Sequence, residues 1–132
     1  MRSRQRALTL IALIAVCACG EPVGPGPEGR LALVSLNAPA TLSAGAPLEV
    51  GIRYWIGACH VVTDLNRAVR GRVVEVEVRG RLFPLPPGSG CPDAIYQRDT
   101  SITVVAPPTG TVTVRGLQPG IAPIEVFVQV LP

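Results

Sequence analysis

Apolar and polar residues alternate with a period of two along much of this chain. Leu48, Val50, Ile52 and Tyr54 fall on one side, and Glu49, Gly51, Arg53 and Trp55 on the other, the pattern of a half-buried strand. The clearest instance sets Val74, Val76, Val78 and Leu82 against Glu75, Glu77, Arg79 and Arg81. The last sets Ile124, Val126, Val128 and Val130 against Glu125, Phe127 and Gln129. Further strands are predicted over residues 31–36, 60–65 and 96–105, and around Val112 and Val114. Gly and Pro punctuate them at Ala38-Pro39, Ala44-Gly45, 83–92, 107–110 and 116–120, and residues 66–71, with Arg67 and Arg70, read as a turn. Beyond the first nineteen residues no stretch keeps a helical period. About seven strands at short spacing predict an all-β chain folded as an antiparallel β-sandwich.

The N-terminus breaks this pattern. Arg2, Arg4 and Arg6 precede an apolar run from Ala7 to Val16, which closes in Val16-Cys17-Ala18-Cys19-Gly20. Spanning a bilayer takes roughly twenty apolar residues, so the run is too short for a stable transmembrane helix. A basic start, a short apolar core and a small residue before the cut describe a secretory signal. The closing residues resemble the lipobox of bacterial lipoproteins, with Val16 three places before Cys19 and Ala18 one before. Cys17 is a rival site, but Val16 is large for the place next to the cut. An ordinary secretory signal or an uncleaved anchor is the plainer alternative.

The resemblance implies that Cys19 receives a diacylglyceryl group and that signal peptidase II cuts before it. Residues 1–18 would be the signal, an N-terminal helix, and the domain would be held by lipid at the cell envelope, outside the cytoplasm. Gly20 in place of an aspartate after the cysteine favours the outer membrane over the inner. Residues 19–29 are rich in Pro and Gly and read as a tether, reaching at most about 30 Å. Residues 30–132 form the domain.

Composition changes one inference. The chain is formally +3, which by itself would suggest nucleic acid or another acidic partner. Three arginines lie before the cut, and the remaining arginines equal the carboxylates in number, so the mature chain is neutral and no nucleic-acid or nucleotide partner is expected. Aromatics are limited to Tyr54, Trp55, Phe83, Tyr96 and Phe127. The core must therefore come from Val, Ile and Leu, which favour strands.

From Leu31 to Leu131 the outline resembles immunoglobulin-like or fibronectin-type-III-like domains of bacterial surface proteins. Leu117-Gln118-Pro119-Gly120 before the last strand is similar to a turn common in them. The antibody order of Cys, Trp, Cys is absent, because Trp55 precedes both Cys59 and Cys91, and no binding residues carry over.

If Cys17 leaves with the signal and Cys19 is lipidated, Cys59 and Cys91 remain. An even pair in an oxidising compartment reads as a disulfide; two separate buried thiols are the alternative. In a simple antiparallel sandwich both cysteines fall at one end, with the tether and the 116–120 loop, and residues 66–71 and the C-terminus at the other.

Catalytic sets are thin. His60 is the only histidine. It adjoins Cys59, but zinc needs three or four ligands, so no metal or cofactor is expected. A hydrolase would need His60 as base, Ser89 as nucleophile and Asp64, Asp93 or Asp99 as orienting acid, yet no helix follows Ser89 to shape an oxyanion site. Glu75 and Glu77 share a face that Arg79 and Arg81 continue, the solvated side of a strand rather than a calcium site. The chain is therefore not expected to be an enzyme.

Two features could meet an envelope protein or a glycan. Trp55 and Phe127 fall on the polar side of their strands, where exposed aromatics can anchor a partner; a bulge or a covering loop would bury them instead. Arg67, Arg70 and Arg72 cluster at the end away from the tether, where they could meet anionic glycans or simply be solvated. The sequence thus points to a lipid-anchored envelope module of unspecified role, with an accessory subunit of an envelope complex as the alternative.

Overall fold

The alternating segments become strands because one side of each can be removed from water while the backbone pairs with its neighbours. A computed structural model describes residues 27–132. Nine strands follow one another: β1 (Gly29–Arg30), β2 (Leu33–Asn37), β3 (Thr41–Ser43), β4 (Leu48–Gly57), β5 (His60–Arg70), β6 (Val73–Leu82), β7 (Ile95–Val104), β8 (Gly110–Gly116) and β9 (Ile124–Leu131). The expected signal helix, the lipidated Cys19 and most of the tether lie outside the described residues. No helix among the described residues is long and apolar enough to cross a membrane.

The strands form two sheets, one of six and one of three. The smaller runs β2-β4-β7, antiparallel throughout. In the larger, β5 pairs with β6 along nearly its whole length, so β8 and β1 share the other edge of β6, at Val73–Val76 and Arg79–Gly80 respectively. Beyond β8 come β9 and β3.

The buried side chains on the inward face of the large sheet are all valine, namely Val74, Val76, Val78, Val112, Val114, Val128 and Val130, with Leu42, Leu65 and Ile124 packed partly covered against them. The small sheet meets it with Leu33, Leu36, Leu48, Val50, Ile52, Tyr54, Ile102 and Val104. Short β-branched side chains on one side and longer ones on the other fill the gap between sheets, each contributing about 1.5–3 kcal/mol of burial.

The structure corrects the sequence reading in several places. Residues 66–71 are not a turn. β5 runs on to Arg70, and only Gly71 and Arg72 turn, with Gly71 at φ 60° in the left-handed region that glycine tolerates. Leu65 and Val69 lie opposite Val78 and Val74 on the inward side, so the strand is continued by its partner's pattern. The first strand is divided. Leu31 N–H donates to the Val78 carbonyl of the large sheet at 2.8 Å, while the next residue, Ala32, accepts from Trp55 N–H of the small sheet at 2.9 Å. β3 is three residues long, too short to show a period, and is held by its pairing with β9. Finally, the sandwich is not wholly antiparallel. β3 pairs with β9, and β6 with β8, in parallel. The cause of the second is that β7 crosses to the small sheet, so β8 returns in the direction of β6.

The two ends are differently equipped. β1, the start of β5 and the start of β7 come together where β6 ends, and the 117–123 loop leaves on that side, set back by the short β8. The β5–β6 turn and the end of β9 lie at the opposite end.

Candidate interaction surfaces

Cys59 and Cys91 are joined, with Cα atoms 5.8 Å apart, inside the range a disulfide needs. Cys59 sits in the two-residue corner by which the chain leaves β4 for β5, and Cys91 ends the Pro- and Gly-rich loop before β7. The bond therefore ties that loop, which has no strand partner of its own, to the corner between the sheets. Ala58 N–H to the Ala94 carbonyl at 2.9 Å and Phe83 N–H to the Cys59 carbonyl complete the corner.

Beside it opens a cleft of about 490 Å3, lined among others by Trp55, Ile56, His60, Leu82, Cys91 and Ile95. Trp55 projects from the outer face of the small sheet and is 41 % exposed. Gln97 lies opposite it, and Ile95 is its diagonal neighbour. Ala32 completes a shallow apolar hollow between Trp55 and Ile95. Ile95 is not among the residues expected at a surface site, yet the sequence carries its signal: it shares the odd-numbered phase of Gln97, Asp99 and Ser101, opposite to Ile102 and Val104.

Phe127 is also exposed, at 62 %, but from the outer face of the large sheet, opposite Thr113. The two candidate aromatics thus point away from each other across the sandwich. They stand in different surroundings. Around Phe127 the large sheet carries a mesh of ion pairs. Arg115 meets Glu125 at 2.7 Å and Glu75 at 3.9 Å, and Arg70 reaches Glu75 at 4.0 Å. Arg30 and Arg79 both bond to Glu77, and Arg79 also meets Glu28 at 2.9 Å. The Arg30 guanidinium holds the Glu77 carboxyl below the usual glutamate range, helped by the Asn66 amide and opposed by burial. Arg79 does the same for Glu28. On the small sheet Arg53 grips Asp99 through two hydrogen bonds, of 2.8 and 3.2 Å, and lowers its pKa.

The three arginines are engaged separately. Arg67 occupies an inward position opposite Val76, and its guanidinium turns to donate to the Thr103 carbonyl of β7, bridging the open flank between the sheets. Arg70 joins the Glu75 mesh. Arg72 folds over the turn before β8, where its side chain fills the space beside Gly110.

His60 and Asp93 both line the cleft, but Ser89 does not. Asp64 accepts from the Leu65 N–H at 2.8 Å, and Asp99 is held by Arg53. Among the described residues no hydrogen bond joins His60 to a carboxylate or to Ser89, and no three His, Cys, Asp or Glu side chains gather as metal ligands. What the cleft offers chemically is apolar contact, from an indole and aliphatic side chains, with a polar rim. The chain matches no family model, no curated protein and no solved structure.

Proposed function

We propose that this chain is a membrane-anchored lipoprotein of the cell envelope whose β-sandwich serves as a non-catalytic binding or structural module. The observation that carries the reading is the Cys59–Cys91 bond. A pair of this kind persists in oxidising compartments, which is where the basic, short apolar N-terminus and the Val16-Cys17-Ala18-Cys19 sequence would send the domain. Cys19 is the lipidated residue, and the outer membrane is the destination in a cell with two membranes. The two-sheet core and the edge strand β3 lying parallel on the C-terminal strand support an immunoglobulin-like ancestry; the parallel β6–β8 pair is foreign to the ordinary form of that fold, in which the corresponding neighbours are antiparallel.

Growth with labelled palmitate tests the anchor. Label should enter the wild-type protein and not Cys19→Ala; label in both, or in neither, defeats the reading.

The exposure of Phe127 favours a second reading, an accessory subunit of an envelope complex with a partner on the large sheet. In that case Phe127→Ala should lose a partner that crosslinks to the wild-type protein in the native envelope. An unchanged set of crosslinked partners removes this reading.

A further inference from the structure

More of the exposed apolar side chains among the described residues lie at the disulfide end of the sandwich than at the other, where Val69, Val105 and Leu131 are exposed. Trp55, Val61, Val62, Phe83, Ile95 and Tyr96 surround the disulfide corner, with Ile95 66 % and Phe83 53 % exposed. A monomeric soluble domain seldom leaves such a group together without a use for it.

Two further observations say what covers it. The chain joins the domain at this same end. β1 runs antiparallel to β6 with Gly29 beside Gly80, so Glu28 lies towards the end of β6, where its carboxylate is held by Arg79. Whatever holds Cys19 is therefore within about 30 Å of the apolar rim. The composition of the rim is also that of residues at a lipid–water boundary. Trp and Tyr present an apolar ring with a polar tip, and arginine can lay its stem on apolar surface while keeping its charge in water. Arg98 stacks over the Tyr96 ring at 5.7 Å, and Arg81 lies opposite Val61.

We infer that the disulfide end docks on the phospholipid surface, with Trp55, Phe83 and Ile95 entering the boundary between headgroups and acyl chains. The inference rests on the lipid anchor proposed above and adds an orientation to it: the domain lies against the bilayer rather than swinging free. Little intrinsic affinity is required. A short tether holds its domain at a local concentration on the order of millimolar, so a contact too weak to recruit a free protein still closes when tethered. Docking would bring the open cleft beside the lipid and leave the Phe127 face turned to the aqueous compartment for a partner.

Trp55 is the sole tryptophan, so the native protein carries its own probe. The lipidated protein, extracted from the envelope, is reconstituted into vesicles of phosphatidylethanolamine and phosphatidylglycerol, with or without brominated acyl chains. Flotation reports anchoring, and Trp55 emission reports docking. The expected result is co-flotation with blue-shifted emission, quenched by brominated lipid and protected from aqueous iodide. In the Phe83→Asp/Ile95→Asp variant flotation should persist while lipid quenching falls about threefold or more. Both side chains are exposed, so the fold should be kept, and an unchanged far-ultraviolet spectrum checks this. Co-flotation with Trp55 open to iodide and untouched by brominated lipid overturns the docking alone. Shielding from both quenchers assigns the rim to a protein or a second copy of the chain, and also overturns it. Failure to float overturns the anchor, and the docking with it.

Discussion

The two outer faces of the sandwich are built to the same alternation but finished differently. On the large sheet the outward positions of β6, β8 and β9 carry Glu75, Glu77, Arg79, Arg115 and Glu125, and nearly every charge has an opposite neighbour. On the small sheet the outward positions of β4 and β7 carry one ion pair, Arg53 with Asp99, and then pass to Trp55 and Ile95 as the strands approach the disulfide. The first face pairs its charges and leaves Phe127 exposed among them; the second leaves its exposed apolar side chains together near one end. Alternation decides which side of a strand is wet, but only the residues brought alongside from other strands decide whether that side is complete.

The comparison can be broken most forcefully at the disulfide. Closing a loop of about thirty residues is worth ~3.7 kcal/mol in the chain-entropy description. Replacing both Cys59 and Cys91 by alanine should lower stability in chemical denaturation by about that amount. Trp55 emission should shift to the red in the folded state, because the loop that frames its cleft is released. The second test strikes the large sheet where the chain joins it. A Cβ on Gly80 would lie 2.8 Å from the Val61 carbonyl oxygen. That atom is backbone, so β5 must shift at Val61, and Gly80→Ala should cost about 2 kcal/mol with Trp55 emission unchanged.

Acid tests the ion-pair mesh directly. The Glu77 pKa is lowered in the folded chain, so its contribution is present above the ordinary glutamate pKa and is lost as pH falls through the folded value. Thermal stability should therefore decline below about pH 4.3. Glu77→Gln should flatten that decline and cost about 1 kcal/mol near neutral pH, the side chain being largely covered and shared between Arg30 and Arg79. The smallest effects belong to exposed groups. Asp99→Asn, on the open face of the small sheet, should leave the melting temperature unchanged within error. Phe127→Ala should change stability by less than about 0.5 kcal/mol, so any loss of a partner in that variant reports binding and not folding.

Much of the core is legible in the alternation alone. Val50, Ile52, Tyr54, Val74, Val76, Val78, Val112, Val114, Val128 and Val130 all lie inward as their phase requires. Legibility fails where a strand takes its identity from a partner. β5 beyond Leu65 has a cation at an inward position, Arg67, and reads as a turn; it is a strand because β6 is alternating beside it and because the Arg67 guanidinium escapes to the Thr103 carbonyl. β3 has too few residues to show a period. The outward phase of Trp55 and Phe127 follows from parity, but their separation onto opposite faces does not, since it depends on β4 and β9 belonging to different sheets.

The sequence by itself therefore determined the all-β class, the inward set of side chains and the one pair of cysteines in the described domain, because period, residue type and count are local quantities. Tertiary structure decided the parallel β6–β8 pair, the conversion of three arginines into a bridge, a mesh and a cover, and the gathering of Trp55, Phe83, Ile95 and Tyr96 around the disulfide. Those depend on which strand lies next to which, and strand neighbours are chosen by packing between sheets at long range, where no local pattern reaches.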